Sequence, residues 1–98
     1  MKFDWDLQKA ESNAKKHGIR FEDAITIFDD PYALIAPDPN HSTEKETRQW
    51  MIGESDDQRV VVVVFTIRQP GDVYRLISAR CASRKERKRY EIIKSLPL

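Results

Sequence analysis

The chain has 98 residues, of which 34% are charged and 40% hydrophobic, and its formal net charge is +1. This length supports one hydrophobic core, so we expect a single domain over residues 1–98, and the apolar content excludes a disordered chain. The single cysteine excludes an internal disulfide.

Two further features of the sequence bear on where the protein acts. No apolar run approaches the roughly 20 residues that cross a bilayer. The first residues, Met1 to Asp4, lack the apolar stretch of a signal peptide. We therefore expect a cytoplasmic protein without membrane contact.

The N-terminal third predicts a short edge strand and two helices. After the strand around Phe3, Asp4 or Asp6 is placed to cap a helix that runs to about His17, and Gly18 is placed to end it. The apolar stripe expected on this helix is Leu7, Ala10 and Ala14, with His17 on the same line. A second short helix follows, since apolar residues recur at helical spacing at Phe21, Ala24, Ile25 and Phe28.

The middle of the chain predicts strands of meander type. Short strands are expected at residues 32–36 and 48–54, and in the latter Arg48, Trp50 and Ile52 share one face. Residues 60–68 include five consecutive valines, which are stiff, β-branched and suited to a central strand covered on both faces. The turn at residues 69–72 then leads into an antiparallel strand at residues 73–80.

The turn also predicts the register of this hairpin. If Gln69 pairs with Asp72, then Thr66 lies opposite Arg75 and Val61 lies opposite Arg80. One face would carry Thr66, Arg68 and Arg75. The other would carry the odd-numbered valines together with Ser78 and Arg80.

The C-terminal segment predicts a basic helix. Ser83 and Glu86 have the spacing of a capping box, and the helix is expected to run to about Lys94. The predicted fold class is therefore α+β, an antiparallel sheet with two N-terminal helices and one C-terminal helix. Segregated positive charge favours an anionic partner at this end; the cations are Arg80, Arg84, Lys85, Arg87, Lys88, Arg89 and Lys94.

The available chemistry is that of guanidinium and imidazole groups. The sequence has no glycine-rich phosphate loop, no histidine pair at metal spacing and no serine-nucleophile elbow. RNA cleavage without a metal needs a base, cations that stabilise the phosphorane-like charge, and an acid. The side chains that suit these roles are His17, Arg48, Arg68, Arg75, Arg80 and Tyr90.

Each candidate also has a structural interpretation. His17 suits packing and capping at a helix C-terminus, and Tyr90 suits helix packing. Arg68 and Arg75 suit the solvated end of a hairpin. The basic residues 84–89 suit either a solvated helix face or a surface that follows a phosphate backbone.

An ordered set of residues resembles the BrnT family of bacterial toxins over nearly the whole chain. In order, the set is Phe3, Asp4, Trp5, Asp6, Lys9, Asn13, Lys16, His17, Gly18, Phe21, Ala24, Phe28, Glu46, Thr47, Arg48, Gly53, Thr66, Ile77, Ser78, Ala79, Arg80, Ala82, Glu86, Arg87 and Tyr90. The set is far more specific than any single motif within it.

This resemblance implies a ribonuclease toxin of a type II toxin–antitoxin module, which inhibits translation and has a fold similar to RelE-type toxins. It makes Arg80 the strongest catalytic candidate, followed by Arg48 and Arg68, with His17 as a further candidate. We assign RNA-binding roles to the surrounding cations, namely Lys16, Arg75, Arg84, Lys85, Arg87 and Lys88.

The same resemblance implies the partners. The antitoxin would be a BrnA-type ribbon-helix-helix protein, expected in a two-plus-two complex, and DNA would be contacted only through it. No cofactor is expected. Because no acidic cluster suits Mg²⁺, cleavage should be metal-independent and should leave a 2′,3′-cyclic phosphate.

A rival interpretation is a non-catalytic module that binds nucleic acid or protein and acts as a co-repressor with its antitoxin. Convergence of His17, Arg48 and Arg80 within reach of one phosphate favours the enzyme. Dispersal of these side chains over separate surfaces favours the binding module.

Overall fold

A computed structural model gives the fold and describes residues 1–40 and 42–97. The helices are α1 (Leu7–His17), α2 (Phe21–Ala24) and α3 (Arg84–Ser95), and a 3₁₀ helix, Ile25–Asp29, continues α2. One sheet, in the order β1-β5-β4-β3-β2, contains β1 (Lys2–Asp4), β2 (Leu34–Pro37), β3 (Gln49–Glu54), β4 (Val60–Arg68) and β5 (Val73–Cys81). The predicted α+β class is confirmed.

The sheet differs from the prediction at one edge. Strands β2 to β5 pair antiparallel, but β1 pairs parallel with β5, with Phe3 opposite Tyr74. The wholly antiparallel sheet predicted from the sequence is therefore wrong for this pair. The two paired strands lie about 70 residues apart in the chain, and no local pattern predicts such a contact.

Helix α1 forms where the sequence predicts it. The Asp6 carboxylate accepts hydrogen bonds from two backbone amides of the first turn, at 2.8 and 3.1 Å. Gly18 ends the helix with a φ of 70°, which glycine adopts without steric cost. Both predicted ends of the helix are confirmed.

The predicted stripe of α1 is wrong at Leu7, which is 79% exposed, whereas Ala10, Ala14 and His17 are half-buried and Ala10 packs against the core. The buried α1 residue is Asn13, whose Nδ2 donates to the carbonyls of Ile19 at 3.1 Å and Ala79 at 2.8 Å. Its Oδ1 accepts from the Ala79 amide at 3.0 Å. Buried backbone groups need partners, and Asn13 supplies them by joining α1 to β5.

The two faces of the sheet are covered to different extents. The helix-pair face lies under α1, α2 and the 3₁₀ helix, and its main core residues are Ile19, Phe21, Ala24, Ile27, Met51, Val61, Val63, Phe65, Leu76 and Ala79. On the α3 face, Tyr90 packs with Ile52 and Val62 in a smaller cluster. Helix α3 covers only part of that face, so the expectation that both faces of β4 are fully covered holds for one of them.

A bulge interrupts the hairpin of β4 and β5. From the turn to Phe65, which lies opposite Leu76, the register is the predicted one. The ladder then skips Ile77, so Val64 pairs with Ser78 and Val62 with Arg80. The prediction of Val61 opposite Arg80 is therefore wrong by one residue.

Candidate functional site

The bulge decides which side of the sheet Arg80 occupies. Because side chains alternate along a strand, skipping one residue moves those beyond it to the other face. Ser78 and Arg80 thus lie on the α3 face with Val62, rather than on the helix-pair face with Val61. On the neighbouring strand, Trp50 pairs with Val64 and shares this side.

The uncovered part of the α3 face contains a cavity of about 340 Å³, which we call the central cavity. Its sides come from β3, β4, β5, the segment before β3 and the first turn of α3. It is lined by Asp38, Arg48, Trp50, Val62, Val64, Ile77, Ser78, Arg80 and Glu86. Two of the predicted catalytic residues, Arg48 and Arg80, therefore meet here.

Arg80 is held by Glu86 in a bidentate ion pair. Its Nη1 and Nη2 donate to the two carboxylate oxygens of Glu86 at 2.7 and 2.9 Å, and Nη1 also lies 3.3 Å from the Cys81 carbonyl. The same carboxylate accepts from the Ser83 amide at 2.8 Å, which completes the predicted capping box of α3. One side chain thus caps the helix and orients the arginine.

The ion pair shifts the pKa values of both Arg80 and Glu86. The hydrogen bonds from Arg80 are the main cause that lowers the pKa of Glu86 to about 2, against the opposing effect of burial. The hydrogen bond with Glu86 likewise raises the pKa of Arg80. Glu86 is therefore a carboxylate at neutral pH and does not donate a proton there.

Arg48 and Arg68 are linked by a second carboxylate. Their Nη2 atoms lie 3.7 and 3.6 Å from the two oxygens of Glu46. The Arg48 side chain is only 28% exposed, and its buried Nε has no hydrogen-bond partner in the described part of the chain. Arg68 is more open and lines a neighbouring hollow beside the β4–β5 turn.

A cationic groove adjoins the central cavity on the other side of the Arg80–Glu86 pair. This helix groove is lined by Arg80, Ser83, Lys85, Glu86 and Arg89. Four of the predicted RNA-binding cations, Arg84, Lys85, Arg87 and Lys88, are exposed on α3. Arg89 was not among the predicted site residues, although its position four residues after Lys85 on one helix indicates a shared face.

Other predicted residues lie apart from this cavity. His17 ends α1, which packs on the helix-pair face through Asn13 and Ala79, and it does not line the cavity. Lys16 is exposed on the same helix. Arg75 shares the α3 face near the turn but pairs with Asp4 at 3.3 Å.

Tyr90, which the sequence allowed as an acid, is a buried packing residue. Its hydroxyl hydrogen-bonds to the Asp30 carboxylate. Burial, followed by that carboxylate, raises the pKa of Tyr90 well above its usual value. Burial alone would raise the pKa of Asp30, but hydrogen bonds from the Glu54 amide, from Tyr90 and from the Tyr32 amide lower it.

Four other residues that line the cavity were not among the predicted site residues, namely Asp38, Trp50, Val64 and Ser78. Trp50 was predicted to share a face with Arg48, but nothing local indicated that both would meet Arg80. Within residues 1–40 and 42–97, no group of three or more His, Cys, Asp or Glu side chains is arranged to hold a metal ion. None of the helices in these ranges is both long and apolar enough to span a bilayer.

The fold and the site define a small α+β protein that gathers arginines on one open face of its sheet, an arrangement suited to an anionic polymer. Residues 5–86 match the family described as "Ribonuclease toxin, BrnT, of type II toxin-antitoxin system". The chain belongs to this BrnT family of ribonuclease toxins, as its sequence predicted, and the family implies an antitoxin partner.

A solved structure supports the same assignment. The fold is similar to that of the Brucella abortus ribonuclease toxin BrnT, known from a crystal structure at 1.1 Å resolution. The two share 28% sequence identity with a TM-score of 0.64, over 86% of this chain and 99% of that one. No curated protein sequence matches the chain.

Proposed function

We propose that the chain is an endoribonuclease of the cytoplasm that cleaves RNA without a metal ion and thereby inhibits translation. The observation that carries this proposal is the meeting of Arg48 and Arg80 at one open cavity. Guanidinium groups bind phosphate oxygens in pairs and stabilise the negative charge that develops during cleavage. Family membership supports the ribonuclease activity itself.

Arg80 retains the donors that this role needs. A guanidinium has five N–H donors, and within the described residues those of Arg80 that are engaged point to Glu86 and the Cys81 carbonyl. The edge formed by Nε and the second N–H of Nη2 remains for an incoming phosphate. Glu86 therefore orients Arg80 without occupying all of its donors.

In the proposed reaction the ribose 2′-hydroxyl gives its proton to water and attacks the adjacent phosphorus. The bond to the 5′-oxygen breaks, that oxygen takes a proton from water, and a 2′,3′-cyclic phosphate remains. Arg80 would contact the reacting phosphate, with Arg48 and Arg68 beside it on the same face. Exposed cations of α3 would hold flanking phosphates. His17 is not part of the proposed site, because α1 packs on the other face.

Cleavage of RNA by the purified, antitoxin-free protein in EDTA tests the proposal. We expect cleavage to persist in EDTA and its product to carry a cyclic phosphate. Arg80→Ala should abolish cleavage and growth arrest while the protein stays folded by circular dichroism. Arg20→Ala, which removes an exposed arginine outside the proposed site, is the matched control and should remain active.

Two outcomes would overturn the proposal. Activity that is lost in EDTA and restored by Mg²⁺ would refute the metal-independent mechanism. A folded Arg80→Ala variant that remains toxic would remove Arg80 from the site.

The proposed partner is a BrnA-type ribbon-helix-helix antitoxin in a two-plus-two complex, because such a domain dimerises and each copy would hold one toxin. Helix α3 supports docking there, since Ile92 and Leu96 are 52% and 58% exposed next to the basic residues Lys85 and Lys88. Apolar anchors would supply most of the affinity, and complementary acidic residues would speed association.

Charge reversal at Arg84, Lys85 and Lys88 together tests this docking surface. We expect the association rate with the antitoxin to fall, and high salt to slow wild-type association in the same way. Reversal of the α1 cations Lys9, Lys15 and Lys16 is the control. If the α3 variant associates at the wild-type rate, the antitoxin docks elsewhere.

The alternative function is a non-catalytic co-repressor that contacts DNA only through its antitoxin. The separation of His17 from Arg48 and Arg80 favours it. Folded, antitoxin-free protein that binds RNA but leaves it intact would support this alternative.

A further inference from the structure

The Arg80–Glu86 pair separates two hollows that differ in charge. The helix groove contains three cations, Arg80, Lys85 and Arg89, with one carboxylate, Glu86. The central cavity shares Arg80 and Glu86 with the groove, and most of its remaining lining is apolar or aromatic. The groove therefore favours a flanking phosphate, while Arg80, which lines both hollows, remains for the reacting phosphate.

The central cavity combines apolar and aromatic side chains with its charged ones. Val62, Val64 and Ile77 give it an apolar floor, and Trp50 adds an aromatic wall. Polar groups stand around this floor, which is the usual composition of a small-molecule site. The volume of about 340 Å³ lies at the lower end of the range of such sites, roughly 300–1,000 Å³.

The polar atoms of the cavity lining differ in their accessibility. The buried Nε of Arg48 has no hydrogen-bond partner within residues 1–40 and 42–97. Because that atom is closed to solvent, a ligand in the cavity would meet other polar atoms of the lining. The Ser78 hydroxyl offers both a donor and an acceptor in the same cavity.

We propose that the central cavity binds a nucleobase of the RNA, while the helix groove holds the 5′-phosphate of the same nucleotide, which is a flanking phosphate. This inference extends the proposed ribonuclease function to the recognition of its substrate. Arg80 and Glu86 line both hollows, so a nucleotide would cross the pair with its base on one side and its phosphate on the other. The cavity would then select which base lies beside the reacting bond.

Fluorescence of Trp50 gives a direct assay of this binding. The chain has two tryptophans, and Trp5 packs edge-on against Phe21 in the core, so Trp5→Phe leaves Trp50 as the single reporter. We expect at least one of the four nucleoside 5′-monophosphates to quench it and to bind at least about tenfold more tightly than ribose 5-phosphate, in line with the effect of stacking one base. The uncharged nucleoside should quench it too.

A cavity-filling variant tests the location. Ser78→Phe places a ring in the central cavity, so the monophosphate should lose its advantage while ribose 5-phosphate binds as before. Ser95→Phe, a matched change at the exposed end of α3, should retain the advantage. If Ser78→Phe fails to fold, the comparison of ligands on the Trp50 reporter alone decides the proposal.

The outcomes separate this inference from the ribonuclease proposal. Equal affinity for monophosphates and ribose 5-phosphate, or unchanged discrimination in folded Ser78→Phe, would overturn the base site even if RNA is cleaved. Base-dependent binding by protein that leaves RNA intact would support the base site and refute the enzyme.

Discussion

Replacing Glu86 with glutamine removes one negative charge but keeps a side-chain oxygen that can cap α3. Both glutamate and glutamine serve at this position of a capping box, so the helix should start at the same residue. The change therefore isolates the ion pair with Arg80, whose two hydrogen bonds measure 2.7 and 2.9 Å. We expect a folded protein of reduced stability.

The size of the effect follows from the pKa of Glu86. Its fall from 4.5 to about 2, at about 1.4 kcal/mol for each pKa unit, sets a ceiling of about 3 kcal/mol on the stabilisation. Solvent screens the pair because the Arg80 side chain is 44% exposed, so about 1 kcal/mol is the realistic contribution. For a domain of this size that lowers Tm by about 4–8 °C.

The pH dependence gives the sharper test. A carboxylate with a depressed pKa stabilises the fold above its unfolded pKa, and this contribution is lost as pH falls through the folded pKa. The gap in Tm between wild type and Glu86→Gln should thus be full at pH 7 and shrink between about pH 4.5 and 2. Thermal melts by circular dichroism across that range measure it.

Glu91→Gln is the matched control, because it makes the same change at an exposed position of the same helix. Its Tm should follow that of the wild type at every pH. A Glu86→Gln variant with the Tm of the wild type at pH 7 would show that the ion pair does not stabilise the fold. Equal losses of stability in both variants would show a general charge effect instead.

Three further substitutions test the packing around the site, each by urea unfolding. Asn13→Ala should lower the free energy of unfolding by at least about 2 kcal/mol, because it leaves buried backbone groups of β5 without a hydrogen-bond partner. A smaller loss would mean that water takes the place of the Asn13 amide. Gly53→Ala should lower the free energy of unfolding by about 1–3 kcal/mol, since its new Cβ would lie 2.9 Å from the Ile27 Cβ. An unchanged free energy of unfolding would show that the sheet shifts to make room for the methyl group. Tyr90→Phe should lower the free energy of unfolding by about 1.5–3 kcal/mol, because it removes the hydrogen bond to the Asp30 carboxylate. RNA cleavage should persist, and its loss in a folded variant would show that Tyr90 belongs to the site.

The sequence predicted the elements well because each carries a local signal. The Asp6 cap, the Gly18 end, the capping box at Ser83 and the valine strand all depend on residues close together in the chain. The parallel partner of β1 and the buried Asn13 depend on β5, some 70 residues away. Tertiary packing determines such contacts, and they produce no periodic pattern in the sequence.

The candidate site was predicted in part for the same reason. Residue type alone pointed to arginines, and Arg48 and Arg80 do meet. His17 fitted the chemistry, but its helix covers the other face. Glu86 was identified only as a helix cap, since its second contact depends on where Arg80 points.

The bulge at Ile77 links the stability of the fold to the position of the site. In a regular ladder Arg80 would project onto the helix-pair face, among Val61, Val63 and the residues beneath α1 and α2. A guanidinium there would be buried without a carboxylate, at a cost of several kcal/mol. Skipping one residue turns Arg80 outward and brings it to Glu86, while Ala79 fills the core position instead. The bulge is the reason that the predicted register was wrong, and it also places a cation beside Arg48 on the open face. Bulges near functional sites often reorient a side chain in this way.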